Sequence, residues 1–236
     1  MGTITGGVNV VIDDALVLYL DAANIISYNN VDTTWYDLSK EANNCLLING
    51  PTFDQNNSGS IVFDGTNDYG QIENTSSLSP TQTITLSAWC MFNGTYTGYY
   101  APIIFKRNNY LSFFEQYHLA YSTSGNLQIA MGDGSTNQSA TSPNTYINQL
   151  VNVVGVIDTI NSILKLYVNG ELVATQVITY PNMDVSTNPV IIGASAEPSF
   201  QGFIGGNIYS VSIYNKVLSE EEILQNYNTI KTRFGL

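Results

Sequence analysis

The stretch SILKLYVNGELVATQ, residues 162–176, decides how this chain is read. Leu164, Leu166 and Val168 alternate with Lys165 and Tyr167, the period of two that sends successive side chains to opposite faces of a strand. Asn169-Gly170 is the dipeptide a two-residue type I′ turn favours, because both central positions need positive φ. The stretch predicts a hairpin in which Val168 faces Glu171, Leu166 faces Val173 and Leu164 faces Thr175. One face is then mostly apolar, with Tyr167, Lys165 and Ala174 on the other. A one-residue slip would exchange the two faces, so the pattern sets the register.

The same signals recur outward along the chain. Strands are expected at 15–20, 60–64, 69–73, 83–92, 101–105, 117–122, 126–131, 150–157, 162–168, 171–178, 189–193 and 206–214, separated by short turn-forming runs. That spacing predicts an all-β fold, a two-sheet antiparallel jelly-roll sandwich, and not alternating β-α units. One short C-terminal helix is expected. Ser219-Glu220-Glu221-Glu222 reads as a capping box, and its carboxylates suit the positive end of a helix dipole. Ile223, Tyr227 and Ile230 follow as one apolar stripe, expected to pack on the sandwich edge. Residues 1–10, rich in glycine, read as a flexible N-terminal arm or assembly contact. Residues 11–236 read as one domain, with no internal repeat or linker.

The 236 residues are 44% hydrophobic, enough for a large single core. Nineteen acids against seven bases leave a net charge of −12, and no basic run exceeds Lys106-Arg107. This excludes nucleic acid and anionic membranes as partners, since both demand clustered Lys or Arg. No apolar run approaches the ~20 residues of a spanning helix, so membrane insertion is not expected. The opening MGTITGGVNVVIDD lacks a basic n-region and a long apolar core, so synthesis in a cytoplasm is expected. Cys45 and Cys90 have no pattern and read as buried free thiols, over a disulfide or metal site. Asn-x-Ser/Thr triplets at Asn56, Asn74, Asn93 and Asn137 read as chance in an Asn- and Thr-rich chain.

Two places invite a ligand. Asp64-Gly65-Thr66-Asn67-Asp68-Tyr69 joins two strands with three acceptor side chains. Asp64, Asn67 and Asp68, with Asp133 from MGDGS, would form a Ca2+ site. The competing reading is a structured turn, in which Asx side chains bond nearby N–H groups and Gly65 takes a backbone angle other residues resist. Gly94-Thr95-Tyr96-Thr97-Gly98-Tyr99-Tyr100 gathers Tyr96, Tyr99 and Tyr100 for a protein interface, for plain packing or for a sugar ring. Trp35 and Trp89 read as core. His118 is the only histidine and reads as structural. A retaining glycosidase needs two carboxyls about 5–5.5 Å apart, yet Glu73, Glu115, Glu171 and Glu197 stand isolated, and Glu220 to Glu222 are explained by capping.

Five stretches carry a family resemblance, in order: TTWYDLSKEANNCLLINGPTF (33–53), SIVFDGTNDYGQIEN (60–74), TITLSAWCMF (83–92), LKLYVNGELVAT (164–175) and IIGASAEPSFQGFIGGNIYSVSIYNKVLSEEEILQNYN (191–228). The chain resembles the laminin-G-like group of the concanavalin A-like lectin/glucanase superfamily, which implies a jelly roll over 11–236. It departs from that pattern at Cys45, where the family usually has Gly, and at Lys40-Glu41, which replaces Gly-Asn. The opening LVLYLDAANIISY, the TTWYDLS segment and the closing NYNTIKTRFGL look like stand-alone laminin-G-like proteins of tailed-phage virions. That resemblance implies a non-enzymatic bacteriophage virion protein: a capsid decoration, tail or fibre component. Its partners would be other virion proteins and further copies of itself in a homo-oligomer, and its location the virion. The alternative is a module binding host-surface glycan, and the remote alternative a glycoside hydrolase.

Overall fold

Two antiparallel sheets lie face to face in a computed structural model that describes residues 15–98, 100–107, 115–195 and 202–236. In chain order the strands are β1 (Leu16–Asp21), β2 (Thr34–Trp35), β3 (Cys45–Ile48), β4 (Thr52–Asp54), β5 (Ser60–Asp64), β6 (Tyr69–Ile72), β7 (Thr83–Tyr96), β8 (Tyr100–Arg107), β9 (Glu115–Ser122), β10 (Asn126–Gly132), β11 (Asn137–Thr145), β12 (Leu150–Asp158), β13 (Ile163–Val168), β14 (Glu171–Val177), β15 (Val190–Ile192) and β16 (Ile204–Tyr214). The first sheet runs β14-β13-β12-β7-β16-β5-β4, and the second β11-β10-β9-β8-β15-β6-β3-β2. Strand β16 pairs β5 through Gly205–Ile208 and β1 through Ser210–Tyr214, so two short strands share one edge of a long one. The expected arm, residues 1–10, lies outside the described residues.

Alternation fills the space between the sheets. In β7, Ile84, Leu86, Ala88, Cys90 and Phe92 point inward and are buried. Ile72, Ile104, Leu119, Ile129 and Ile192 meet them from the second sheet. The sheets come so close that a Cβ on Gly155 of β12 would stand 2.5 Å from Ile129 Cδ1. Trp35 joins this core. Trp89 is buried but does not: it is out of phase with Ile84 and Leu86 and faces the outer side of β7. Cys45 and Cys90 are buried and free, as expected. Cys45 is accommodated by the glycine beside it, since a Cβ on Gly70 would meet its Sγ at 2.4 Å. His118 lies buried between the rings of Phe105 and Tyr100, at 5.7 and 5.3 Å.

The hairpin at 162–176 forms with one correction. Val168 faces Glu171, but Leu166 faces Ala174 and Leu164 faces Gln176, because a bulge at Val173 shifts the register by one. The bulge gives the extra residue no partner and twists the strand, which blunts the free edge of β14. The four unexpected strands are short or polar. β2 and β4 have two and three residues, and β11 (NQSATSPNT) contains a proline that only an edge strand tolerates.

Helix α1 (Glu220–Lys231) begins at the capping box: Ser219 Oγ accepts the Glu222 N–H, and Glu222 returns a carboxylate to the Ser219 N–H. It does not sit on the edge. It crosses the outer face of the first sheet, where Tyr227 stacks on Trp89 at 5.6 Å and Ile223 packs with Tyr167 and Tyr214. β7, β13 and β16 place Trp89, Tyr167, Tyr209 and Tyr214 on this outer face, so it needs a cover. A short 3-10 turn, Thr232–Phe234, completes it by laying Phe234 against Trp89 and Tyr209.

Candidate functional site: a polar groove beside strand β4

The Asp64–Asp68 turn spends its acceptors on itself. Asp64 Oδ1 accepts the N–H groups of Thr66 (2.7 Å) and Asn67 (3.2 Å), and Asp68 Oδ2 accepts the Asp64 N–H (3.1 Å). Gly65 holds φ +78°, and a Cβ there would stand 2.8 Å from Thr95 Cγ2. Partial burial opposes ionisation of Asp64, yet hydrogen bonds from Thr66, Asn67 and Asp68 outweigh it and hold the carboxyl below its usual range. Burial and the nearby Asp64 charge push Asp68 the other way. Asp133 forms its own turn, accepting from Ser135 and Thr136, and bonds chiefly from the Ser135 hydroxyl hold its carboxyl low.

The structure does not bring Asp133 to the other three. Strands β6 and β10 run in the same direction, four places apart in their sheet, or roughly 19 Å. Asp68 precedes the start of β6 and Asp133 follows the end of β10, so they lie at opposite ends. Ca2+ needs oxygens within about 2.6 Å of one point. Among the described residues no three His, Cys, Asp or Glu side chains converge.

The tyrosine loop is divided. Tyr96 is half-buried against Phe92, 6.2 Å between rings, and packs on the core. Tyr100 is half-buried beside His118. Tyr99 lies outside the described residues. The two described tyrosines are packing groups at the base of the loop.

A groove that the sequence reading missed lies along β4, the edge strand of the first sheet. It is an open depression of about 460 Å³ bordered by Asn30, Thr52, Phe53, Asp54, Gln55, Asn56 and Val62. Thr52 is opposite Val62 across the β4–β5 ladder, so both line the same wall. Asp54 Oδ1 accepts the backbone N–H (2.9 Å) and side-chain amide (2.7 Å) of Asn56, which fixes both groups. Asp54 Oδ2 and the side chains of Asn30, Thr52 and Gln55 make no hydrogen bond to other described residues. Val62 supplies apolar surface, whereas Phe53, opposite the buried Ile61, turns its ring inward onto Tyr28 at 5.7 Å and the core.

The loop closing this groove is held in an unusual shape. Asn57, Ser58 and Gly59 have φ of 50°, 68° and 114° in succession, and Asn30 across the groove has 64°. Non-glycine residues in this region store strain of order 1–3 kcal/mol each and persist only where their surroundings impose them. The imposing group is Arg233. Its Nη2 donates to Gly59 O at 2.9 Å and its Nη1 pairs with Asp21 at 2.7 Å, with both side chains buried. A Cβ on Gly59 would meet Phe53 Cζ at 2.9 Å, so the loop, the groove wall and the C-terminal turn are fitted to one another. The only sequence signal for the groove was the polar run after Phe53 (DQNN), which has no period.

Comparison with known proteins agrees with this architecture. The laminin G family described as the concanavalin A-like lectin/glucanases superfamily matches residues 64–224, about two thirds of the chain. The chain belongs to that superfamily. No curated protein matches it. Among solved structures, the laminin-G-like chain is similar to the binding domain of Paraclostridial Mosquitocidal Protein 1, with 18% identity and a TM-score of 0.71 over 92% of this chain and 52% of that one. It is similar to the botulinum neurotoxin serotype D binding domain, with 19% identity and a TM-score of 0.67 over 92% and 52%. A serotype D ligand binding domain in complex with N-acetylneuraminic acid matches with 18% identity and a TM-score of 0.68 over 94% and 52%. The chain spans about half the length of these structures. At such identities the likeness establishes the shared sandwich, and activity has to be argued from the site.

Proposed function

We propose that this laminin-G-like chain is a non-catalytic binding module of a bacteriophage virion, attaching the particle to glycan on a host surface through the groove beside β4. The observation that carries the reading is the open depression along β4, where Asn30, Thr52, Asp54, Gln55 and Asn56 present polar side chains beside Val62. The virion context is supported by the resemblance of the opening, TTWYDLS and closing stretches to tailed-phage proteins. The non-enzymatic reading is supported by the spread of the carboxylates. Glu73 follows β6 of the second sheet while Glu171 begins β14 of the first, and Asp54 is tied to Asn56. Assembly into a homo-oligomer with other virion proteins is part of the same proposal, since repetition on a particle multiplies weak contacts into firm attachment.

The test is a glycan array probed with the full chain and with Asn30→Ala/Asn56→Ala. Retention that the double substitution abolishes supports the reading. Release of reducing sugar from a retained glycan would replace it with a hydrolase.

A further inference from the structure

Lys106, near the end of β8, is a buried lysine whose partners are neutral. It is 0% exposed, and its Nζ donates to Asn74 Oδ1 at 2.5 Å and to Asn188 O at 3.1 Å. Lysine is almost never fully buried unless paired, because an ammonium away from water and without a counter-ion is costly. Burial accordingly draws the amine down to about 8. The titratable groups on the elements around it are turned to other partners. Glu73, beside Asn74, is exposed and accepts from Gln71 Nε2. Tyr117, opposite Lys106 in β9, donates its hydroxyl to Leu78 O. Arg107, next in the chain, is a like charge and no counter-ion.

The second reactant is in place. A C=O bond is about 1.23 Å long, so Asn74 Cγ is at most about 3.7 Å from Nζ, beside the ~3–3.5 Å of a near-attack geometry. The Ser79 hydroxyl donates to the same Oδ1 at 2.8 Å, where negative charge develops when a nucleophile adds to the carbon. Asn74 is half-buried, so a group leaving from it can reach solvent.

We infer that Lys106 and Asn74 join in an intramolecular isopeptide bond. The neutral amine turns its lone pair on Asn74 Cγ, the Nζ–Cγ bond forms, and the carbonyl electrons move onto Oδ1 beside the Ser79 hydroxyl. The Cγ–Nδ2 bond then breaks, and Nδ2 leaves as ammonia with the proton that Nζ gives up. Amine and primary amide become secondary amide and ammonia, with nothing oxidised or reduced. The product keeps an N–H for Asn188 O and carries no charge, which removes the buried ammonium altogether. It also ties the turn after β6 to β8 across β15, the strand between them. Neither acceptor of Nζ is a carboxylate that could take its proton, so the reaction is slow and follows the neutral amine. That share is about 1% at pH 6 and about 90% at pH 9.

The experiment is intact-mass spectrometry of the full chain, purified at pH 6 and then incubated for a week at pH 6 or pH 9. At pH 9 the mass should fall by one ammonia, and digestion should yield a branched peptide joining residues 74 and 106. At pH 6 the loss should be at least about ten-fold slower. Ser79→Ala should slow the pH 9 reaction at least about ten-fold. Asn74→Asp gives Lys106 a carboxylate partner, which preserves the fold even where Lys106→Met does not, and it should release no ammonia from this site. At one pH the cross-linked chain should melt about 7–15 °C above the chain with a free amine, because the bond closes a loop between positions 32 apart. An unchanged mass after the week at pH 9 would overturn the inference. So would ammonia lost without the branched peptide, the sign of ring closure at Asn49-Gly50, Asn93-Gly94 or Asn169-Gly170.

Discussion

Replacing Arg233 by alanine should loosen the groove and the fold together. The side chains of Arg233 and Asp21 are 8% and 3% exposed, so this is a buried ion pair and not a surface one. Removing one member of such a pair costs ~3–5 kcal/mol, mostly because the other charge stays buried. Asp21 would keep two donors, the Tyr19 hydroxyl at 3.1 Å and the Ala23 N–H at 3.0 Å, which places the loss near the lower end, about 3 kcal/mol. For a chain of this size each kcal/mol moves the melting temperature by ~2–4 °C, so a fall of about 6–12 °C is expected by calorimetry. The penalty is chiefly an abandoned charge, so Asp21→Asn/Arg233→Met should recover most of the loss. Gly59 O loses its donor in both variants, so neither should regain full glycan retention. A fall below about 2 °C in Arg233→Ala, or a double variant no more stable than the single one, would refute the reasoning.

Three further outcomes are expected. Burial draws the Lys106 amine down to about 8 from 10.5, so between those values the unfolded chain holds a proton that the native chain has released. Raising the pH through that window therefore stabilises the native state, and the melting temperature of wild type should rise relative to Lys106→Met from pH 7.5 to about 9.5. Burial also raises both thiols, Cys90 to about 12 despite its contact with the Tyr121 hydroxyl, so iodoacetamide at pH 8 should label Cys45 and Cys90 only after denaturant is added, read by intact mass. Millimolar Ca2+ should shift the melting temperature by less than about 1 °C, whereas Asp64→Ala, which strips two backbone donors of their acceptor, should cost about 1 kcal/mol by urea unfolding.

Sequence period made the sandwich legible and left the site hidden. Strands buried on one face announce themselves by alternation, so the strand expected at 83–92 forms as β7, with Ile84, Leu86 and Ala88 inward. Trp89 reads as core from its place on a strand of alternating polarity. Its phase in the same strand already put it on the other face, and only a covering helix could bury it there. The bulge at Val173 was invisible because a single extra residue changes no composition. Asp64 and Asp68 read as acceptors, but an Asx turn and a cation site use the same atoms, and it is the sheet order, with β6 and β10 four strands apart, together with their direction that separates Asp68 from Asp133. The groove escaped because it is assembled from Asn30, a three-residue edge strand and a turn, held by an arginine whose partners are 212 and 174 residues away.

That arginine sets a clock on the groove. Translation runs at ~5–20 residues per second, so the ribosome needs about 9–35 s to travel from Gly59 to Arg233. For all that time the loop that walls the groove exists without the guanidinium that imposes its left-handed run. Strands β3 and β6, and β8 and β9, can pair meanwhile, because each pair lies close by in the chain, whereas β7 waits for β12 and β16. The loop beside β4 is consequently among the last parts of the molecule to receive its partner. A chain stopped between Tyr214 and Arg233 carries every strand of the sandwich and a loop that still lacks its guanidinium partner.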